Sequence, residues 1–215
     1  ASFFMLASSL LILLMLFLGT KKKLLVPTKM QLMAEMSYTF IAKMINDTAG
    51  SKAKPFFPFI FTLFMFVLFC NMIGMLPYSF TVTSHIIVTF ILASIVFVGV
   101  TIIGFIKHGI KYLELFVPKG VPVILLPLIV VIEIISYLSR PVSLSVRLFA
   151  NMMAGHTMLK VFGGFVISLG LLGGWLPLGF SVALTGLEIL VAFLQAYVFA
   201  ILTCIYLNDA LNLHH

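Results

Sequence analysis

The sequence predicts an all-α integral membrane protein. It reads as about five membrane-embedded helices plus one amphipathic surface helix, in a single membrane domain over residues 1–215. Three observations carry this. Hydrophobic residues make up 62% of the chain and charged residues 9%, against about 25% charged in an ordinary soluble domain. Mean hydropathy is +1.25. Several apolar runs reach the ~20 residues that cross a ~30 Å hydrocarbon layer, which also excludes a β-barrel, whose strands show only ~10-residue alternation.

The formal net charge of +7 is not a nucleic-acid footprint. The lysines sit in links between apolar runs: Lys21, Lys22, Lys23 and Lys29, then Lys43, Lys52 and Lys54, then Lys107, Lys111 and Lys119. Such links face the compartment from which a membrane protein is inserted. No nucleic-acid partner is expected. Cys70 and Cys204 lie in apolar runs without metal-ligand spacing, so buried inert thiols are expected, with no metal and no cofactor.

Residues 1–19 form the first span. They lack a basic leader and are followed by Lys21–Lys23, so they read as a span rather than a cleavable signal, with the N-terminus outside. Residues 28–47 differ. Met30, Met33, Met36, Phe40, Ile41 and Met44 recur at helical spacing, interleaved with Lys29, Gln31, Glu35, Lys43 and Asp47. That is an amphipathic helix lying on the inner surface.

Residues 55–77 form a second span closed by Pro77. The lysine-free link Tyr78 to Ser84 suits the outer face, and residues 84–106 form a third span. Residues 121–168 are mainly apolar, about 70 Å if helical, more than twice the hydrocarbon thickness. No basic loop divides them, so one strongly tilted helix is expected, bent near Pro127 or Pro141. Gly170 to Pro177 is a turn by composition. Residues 177–208 then form a second helix too long to stand upright. The two make a slanted hairpin, and five crossings leave the C-terminus inside.

The polar residues crowd into this hairpin. Glu133, Arg140 and Arg147 are spaced by sevens, which keeps them within ~20° per step on one helix face. Ser136, Ser143 and Asn151 share that face, and Glu188 and Gln195 are seven apart on the last helix, preceded by Ser181 and Thr185. His156 falls on the opposite side of an ideal helix from Arg147. Arg140 has an ion-pair partner at hand in Glu133. His85 suits an outer vestibule.

An arginine at bilayer depth costs roughly 2.5–3.5 kcal/mol on insertion scales, so Arg147 reads as functional. Carboxylates and imidazoles can be tuned to exchange protons near neutrality, whereas a guanidinium stays charged and relays nothing. Glu188 and His156 therefore read as proton carriers, and Arg147 as a barrier that attracts a passing carboxylate. No acid lies near Arg147 on its own helix, so that carboxylate belongs to another subunit.

The run Ser139-Arg-Pro-Val-Ser-Leu-Ser-Val-Arg147-Leu-Phe-Ala-Asn-Met-Met-Ala-Gly-His156 resembles subunit a of F-type rotary ATP synthases, of the mitochondrial and α-proteobacterial type. So do Leu184-Thr-Gly-Leu-Glu188, Leu194-Gln-Ala-Tyr197, Ile205-Tyr-Leu-Asn-Asp209 and the stretch from Asn71 to His85. The resemblance implies a stator subunit with no nucleotide chemistry of its own, against which a ring of c subunits turns. It implies two offset half-channels for protons, with Arg147 between them facing the ring carboxylates. Asn151, His156, Glu188 and Gln195 match positions on the outer path, Glu133 and Ser143 positions on the inner side, and Tyr206 a tyrosine nearby. The c-ring, peripheral stalk subunits and membrane lipids are the implied partners, and protons the transported ion.

The chain departs from some bacterial members, which carry Glu where it has His156 and His where it has Glu188. Others carry an acid where it has Gly74, so its outer inlet draws polarity from elsewhere, His85 being the candidate. Short soluble loops point to the mitochondrial inner membrane, with a bacterial plasma membrane as the alternative. A self-contained proton channel or secondary transporter is the competing function; the chain lacks the duplicated halves of such transporters. No phosphate-binding Gly-Lys-Ser/Thr loop occurs, so the chain is not an enzyme on its own.

Overall fold

The longest helices set the architecture. In the computed structural model, which describes residues 2–20, 28–75, 81–116 and 125–211, α5 (Leu126–Gly173) and α6 (Trp175–Leu211) lie side by side. Around them stand α1 (Ser2–Thr20), α2 (Lys29–Ala49), α3 (Phe57–Gly74) and α4 (Ile86–His108). Three short 3₁₀ segments, Ser51–Phe56, Val82–Ser84 and Gly109–Phe116, join the ends. No strand occurs among the described residues. The expected lysine loop Lys21–Lys23, the stop at Pro77, Tyr78 and Lys119 lie outside them.

Among the described residues, five stretches are long and apolar enough to cross a membrane: Ser2–Thr20, Ser51–Gly74, Ile86–His108, Leu126–Gly170 and Trp175–Leu211. The expected all-α membrane class is what the chain adopts. Helix α2, with Lys29, Glu35, Lys43 and Asp47, is not among the five. Thr28 caps it by accepting from the Gln31 N–H, and Gly50, at φ 69°, ends it in a backbone region that glycine adopts most readily. Ile41, Met44 and Ile45 are buried, whereas Met30, Met33 and Met36 stay exposed. The helix is thus two-faced: one apolar stripe packs on α1, α3 and α6, and the methionine stripe is left uncovered.

Helix α6 is the spine. Ala192, Ala196, Ala200 and Cys204 recur every fourth residue and are fully buried. Small side chains let neighbouring backbones approach closely, which is how helices associate where lipid is as apolar as leucine. Helix α3 uses that approach: Asn71 Nδ2 donates to the Ala192 carbonyl at 3.2 Å. Both cysteines are buried, as expected.

The hairpin differs from expectation in two places. The non-helical residue inside α5 is Gly170 (φ 61°, ψ −159°), rather than a point near Pro127 or Pro141. Pro127 sits in the first turn, where its missing N–H leaves no bond unmade, and the helix continues through Pro141. Gly170 takes a conformation essentially closed to other residues. The turn is also tighter than Gly170 to Pro177. Helix α6 begins at Trp175, so Pro177 lies within its first turn, a position that tolerates proline.

Candidate functional site

Partners along the hairpin run in opposite order, as two antiparallel helices require. Arg140 faces Asp209, Asn151 faces Gln195, and His156 faces Glu188. The seam between α5 and α6 therefore carries two polar clusters joined by apolar packing through Leu144, Leu148 and Met152, all buried.

The first cluster surrounds Arg140. Its Nη1 lies 3.3 Å from Asp209 Oδ2. Its guanidinium covers the Tyr137 ring at 5.4 Å and the Tyr206 ring at 5.0 Å from the centroids. Hydroxyls extend the cluster: Thr101 Oγ1 and Tyr137 Oη are 2.7 Å apart, and Tyr137 Oη and Tyr112 Oη 3.0 Å. Tyr112 fills the space left by Gly104, where a Cβ would collide with its ring. Burial, reinforced by the bond to Tyr137, pushes the Tyr112 phenol above its usual range. The expected Arg140–Glu133 pair is not what the structure shows. Asp209 takes that place, because α6 runs alongside Arg140. Glu133 is half-buried on α5, and Ser143 is exposed.

The second cluster gathers four elements. Glu188 is buried, and its Oε1 lies 3.7 Å from His156 Nδ1. Gly155 makes room for it: a Cβ there would stand 2.7 Å from Glu188 Oε1. On the other side of the imidazole, Thr81 Oγ1 lies 2.6 Å from His156 Nε2 and donates to the Gly74 carbonyl at 3.0 Å. One turn along α5, Asn151 Nδ2 donates to Gln195 Oε1 at 2.8 Å. Asn71 ties α3 to α6 beside them. Buried oxygens of Glu188, Asn71 and Thr83, and the Gln195 amide nitrogen, have no hydrogen-bond partner among the described residues. Unpaired buried polar atoms on this scale are rare unless water, an ion or another chain completes them.

Arg147 stands between the clusters, seven residues beyond Arg140 and nine before His156, roughly 10 and 14 Å along the axis. Its side chain is exposed, and no carboxylate among the described residues lies within ion-pair distance of it. His85 is exposed at the start of α4. The hydroxyl polarity beside Gly74 comes from Thr81, whose side chain lies 2.5 Å from where a Cβ on Gly74 would be. Tyr206 belongs to the Arg140 cluster.

Sequence spacing brought together the residues that share a helix and missed those that do not. Thr81, Tyr112 and Asp209 reach their partners His156, Tyr137 and Arg140 across 75, 25 and 69 positions of sequence. For Asp209 there was a usable signal, a carboxylate ending an apolar helix in a chain with six acidic residues.

Long apolar helices with two polar clusters along one seam, and between them an arginine with no carboxylate in ion-pair distance among the described residues, are those of a multi-pass membrane protein. A family profile described as ATP synthase A chain matches residues 2–208. ATP synthase subunit a of Pelagibacter ubique is 82% identical over 215 residues, covering 100% of this chain and 88% of that protein. ATP synthase subunit a of Chelativorans sp. is 63% identical over 206 residues, 93% of this chain and 83% of that one. That of Rhizobium rhizogenes is 61% identical over 218 residues, covering 99% and 87%. The chain belongs to the ATP synthase A chain family, and its resemblance to the α-proteobacterial type holds.

Proposed function

We propose that this chain is the proton-translocating stator subunit of a rotary ATP synthase, with two offset half-channels meeting the carboxylates of a c-ring and Arg147 as the barrier between them. The observation that carries the reading is the order along α5: a polar cluster at Arg140, then Arg147 with no carboxylate beside it among the described residues, then a polar cluster at Asn151 and His156. An exposed permanent cation on the flank of a membrane helix needs an anion from outside the chain. A ring carboxylate meets that need, and at 4 Å with an effective dielectric of 20 the attraction is about 4 kcal/mol.

In this reading His156, Glu188, Asn151 and Gln195 serve the outer path, with His85 near its mouth. Glu133, Ser143 and Tyr206 serve the inner one. The chain is a proton-channel component and leaves nucleotide chemistry to other subunits. Helices of 45 and 37 residues, about 68 and 56 Å long at 1.5 Å per residue, outreach a ~30 Å hydrocarbon layer. They lie steeply tilted along the ring, with the N-terminus outside and the C-terminus inside. Peripheral stalk subunits and lipid cover the apolar faces of α1 and α2. The relatives are bacterial, which favours a bacterial plasma membrane over the mitochondrial inner membrane.

Arg147→Ala in the assembled complex tests this. Assembly is expected to survive and proton-driven ATP synthesis to be lost, measured in vesicles under an imposed gradient. Synthesis at the parental rate per assembled complex would refute the barrier role.

A further inference from the structure

Thr81 makes two hydrogen bonds with one proton. Its hydroxyl donates to the Gly74 carbonyl at 3.0 Å, and a threonine hydroxyl has a single hydrogen to give. Toward His156 Nε2, 2.6 Å away, the same oxygen can therefore only accept. The proton of a neutral His156 is thereby held on Nε2, which leaves the lone pair on Nδ1. That nitrogen faces Glu188 Oε1 at 3.7 Å, and Oε1 is buried with no hydrogen-bond partner among the described residues.

We propose that Thr81 is a positioning residue of the outer proton path: its hydroxyl fixes the Nε2–H form of His156, so that Nδ1 is the atom that exchanges a proton with Glu188. The inference rests on the proposed relay role of His156 and Glu188. The step moves one proton: the carboxylic O–H of Glu188 breaks as Nδ1–H forms, leaving a carboxylate beside an imidazolium, and the reverse restores both. The Nε2–H bond to Thr81 is the same in the neutral and the protonated ring, so the imidazole need not turn over between states. Closing the gap by about 1 Å gives a charge-assisted bond.

Thr81 is itself held. It is buried, Ser84 Oγ donates to its carbonyl at 2.7 Å, and its side chain fills the space that Gly74 leaves open. Around the imidazole, α6 contributes Glu188 and the segment before α4 contributes Thr81. Of the other ionisable groups near in sequence, His85 and Lys160 are both exposed.

The test uses the complete synthase in vesicles, with ATP synthesis followed as outer pH is varied and assembly measured alongside. Thr81→Val keeps the shape and removes the acceptor. It is expected to slow synthesis about fivefold, the weight of one hydrogen bond, and to move the alkaline limb of the profile to lower pH, because the imidazolium loses an acceptor. Thr81→Ser recovers most of the rate, and Thr81→Val adds nothing in a His156→Ala background. Parental rate and profile in Thr81→Val, while His156→Ala and Glu188→Gln are slow, would overturn the role of Thr81 and leave the relay standing. Failure of Thr81→Ser equal to that of Thr81→Val would overturn it as well. If His156→Ala and Glu188→Gln are themselves unaffected, the relay falls and this role with it.

Discussion

Arg140 of α5 and Asp209 of α6 are 69 positions apart in sequence and 3.3 Å apart in space. Their pairing closes one end of the hairpin, as the His156–Glu188 contact closes the other polar cluster. Their side chains remain 24% and 40% exposed, so the pair is partly wet and its Coulomb gain is screened. A double-mutant cycle of Arg140→Ala and Asp209→Ala should give a coupling of about 1 kcal/mol or less in the thermal stability of the detergent-solubilised complex. Arg140→Ala should cost more than Asp209→Ala, because it also removes the guanidinium from two tyrosine faces. Equal costs would mean that the stacking contributes nothing.

Gly155→Ala should act on Glu188 rather than on the fold. The new methyl would stand 2.7 Å from Glu188 Oε1 and 3.0 Å from its Cδ, so the carboxylate must shift from its place beside His156. A severalfold loss of proton-driven synthesis with normal assembly is expected. Gly99→Ala, which meets nothing within 4 Å, is the control and should leave the rate unchanged. Equal rates in the two variants would remove Glu188 from the path.

Glu188→Gln and His156→Ala should each slow proton delivery, most clearly at high outer pH. A scarce proton is captured by a basic group, and neither glutamine nor alanine can bind one. Rates of ATP synthesis in vesicles across outer pH are the measurement; curves superimposable on the parent's at every pH would count against a relay.

Tyr112 predicts a pH effect on stability. The folded chain holds its phenol neutral more firmly than the unfolded chain, whose ordinary value is 10.0. The folded state thus binds the proton more tightly, so the contribution is fully present below about pH 10 and falls as pH rises beyond it. Tyr112→Phe should remove part of that alkaline loss, and stability below pH 9 should drop by about 1 kcal/mol for the missing hydrogen bond to Tyr137. Denaturation midpoints measured from pH 7 to 11 would show it; an alkaline loss of the same size in Tyr112→Phe would rule out this origin.

By itself the sequence determined the membrane class and the polar face of each helix. Long apolar runs leave no fold but membrane helices, and a spacing of seven puts Glu133, Arg140 and Arg147 on one face whatever surrounds them. Less legible was where a break falls in a run with several eligible residues. Two prolines competed with Gly170, and the glycine took the turn because it alone accepts the required dihedral angles.

Only the tertiary structure decided which polar groups meet. The partners of His156, Arg140 and Tyr137 come from other segments, and helical spacing carries no information about a neighbour helix's register. That register appears only once the helices are packed, with Asp209 at Arg140 and Glu188 at His156. The sequence named the residues able to hold a proton; packing chose their partners.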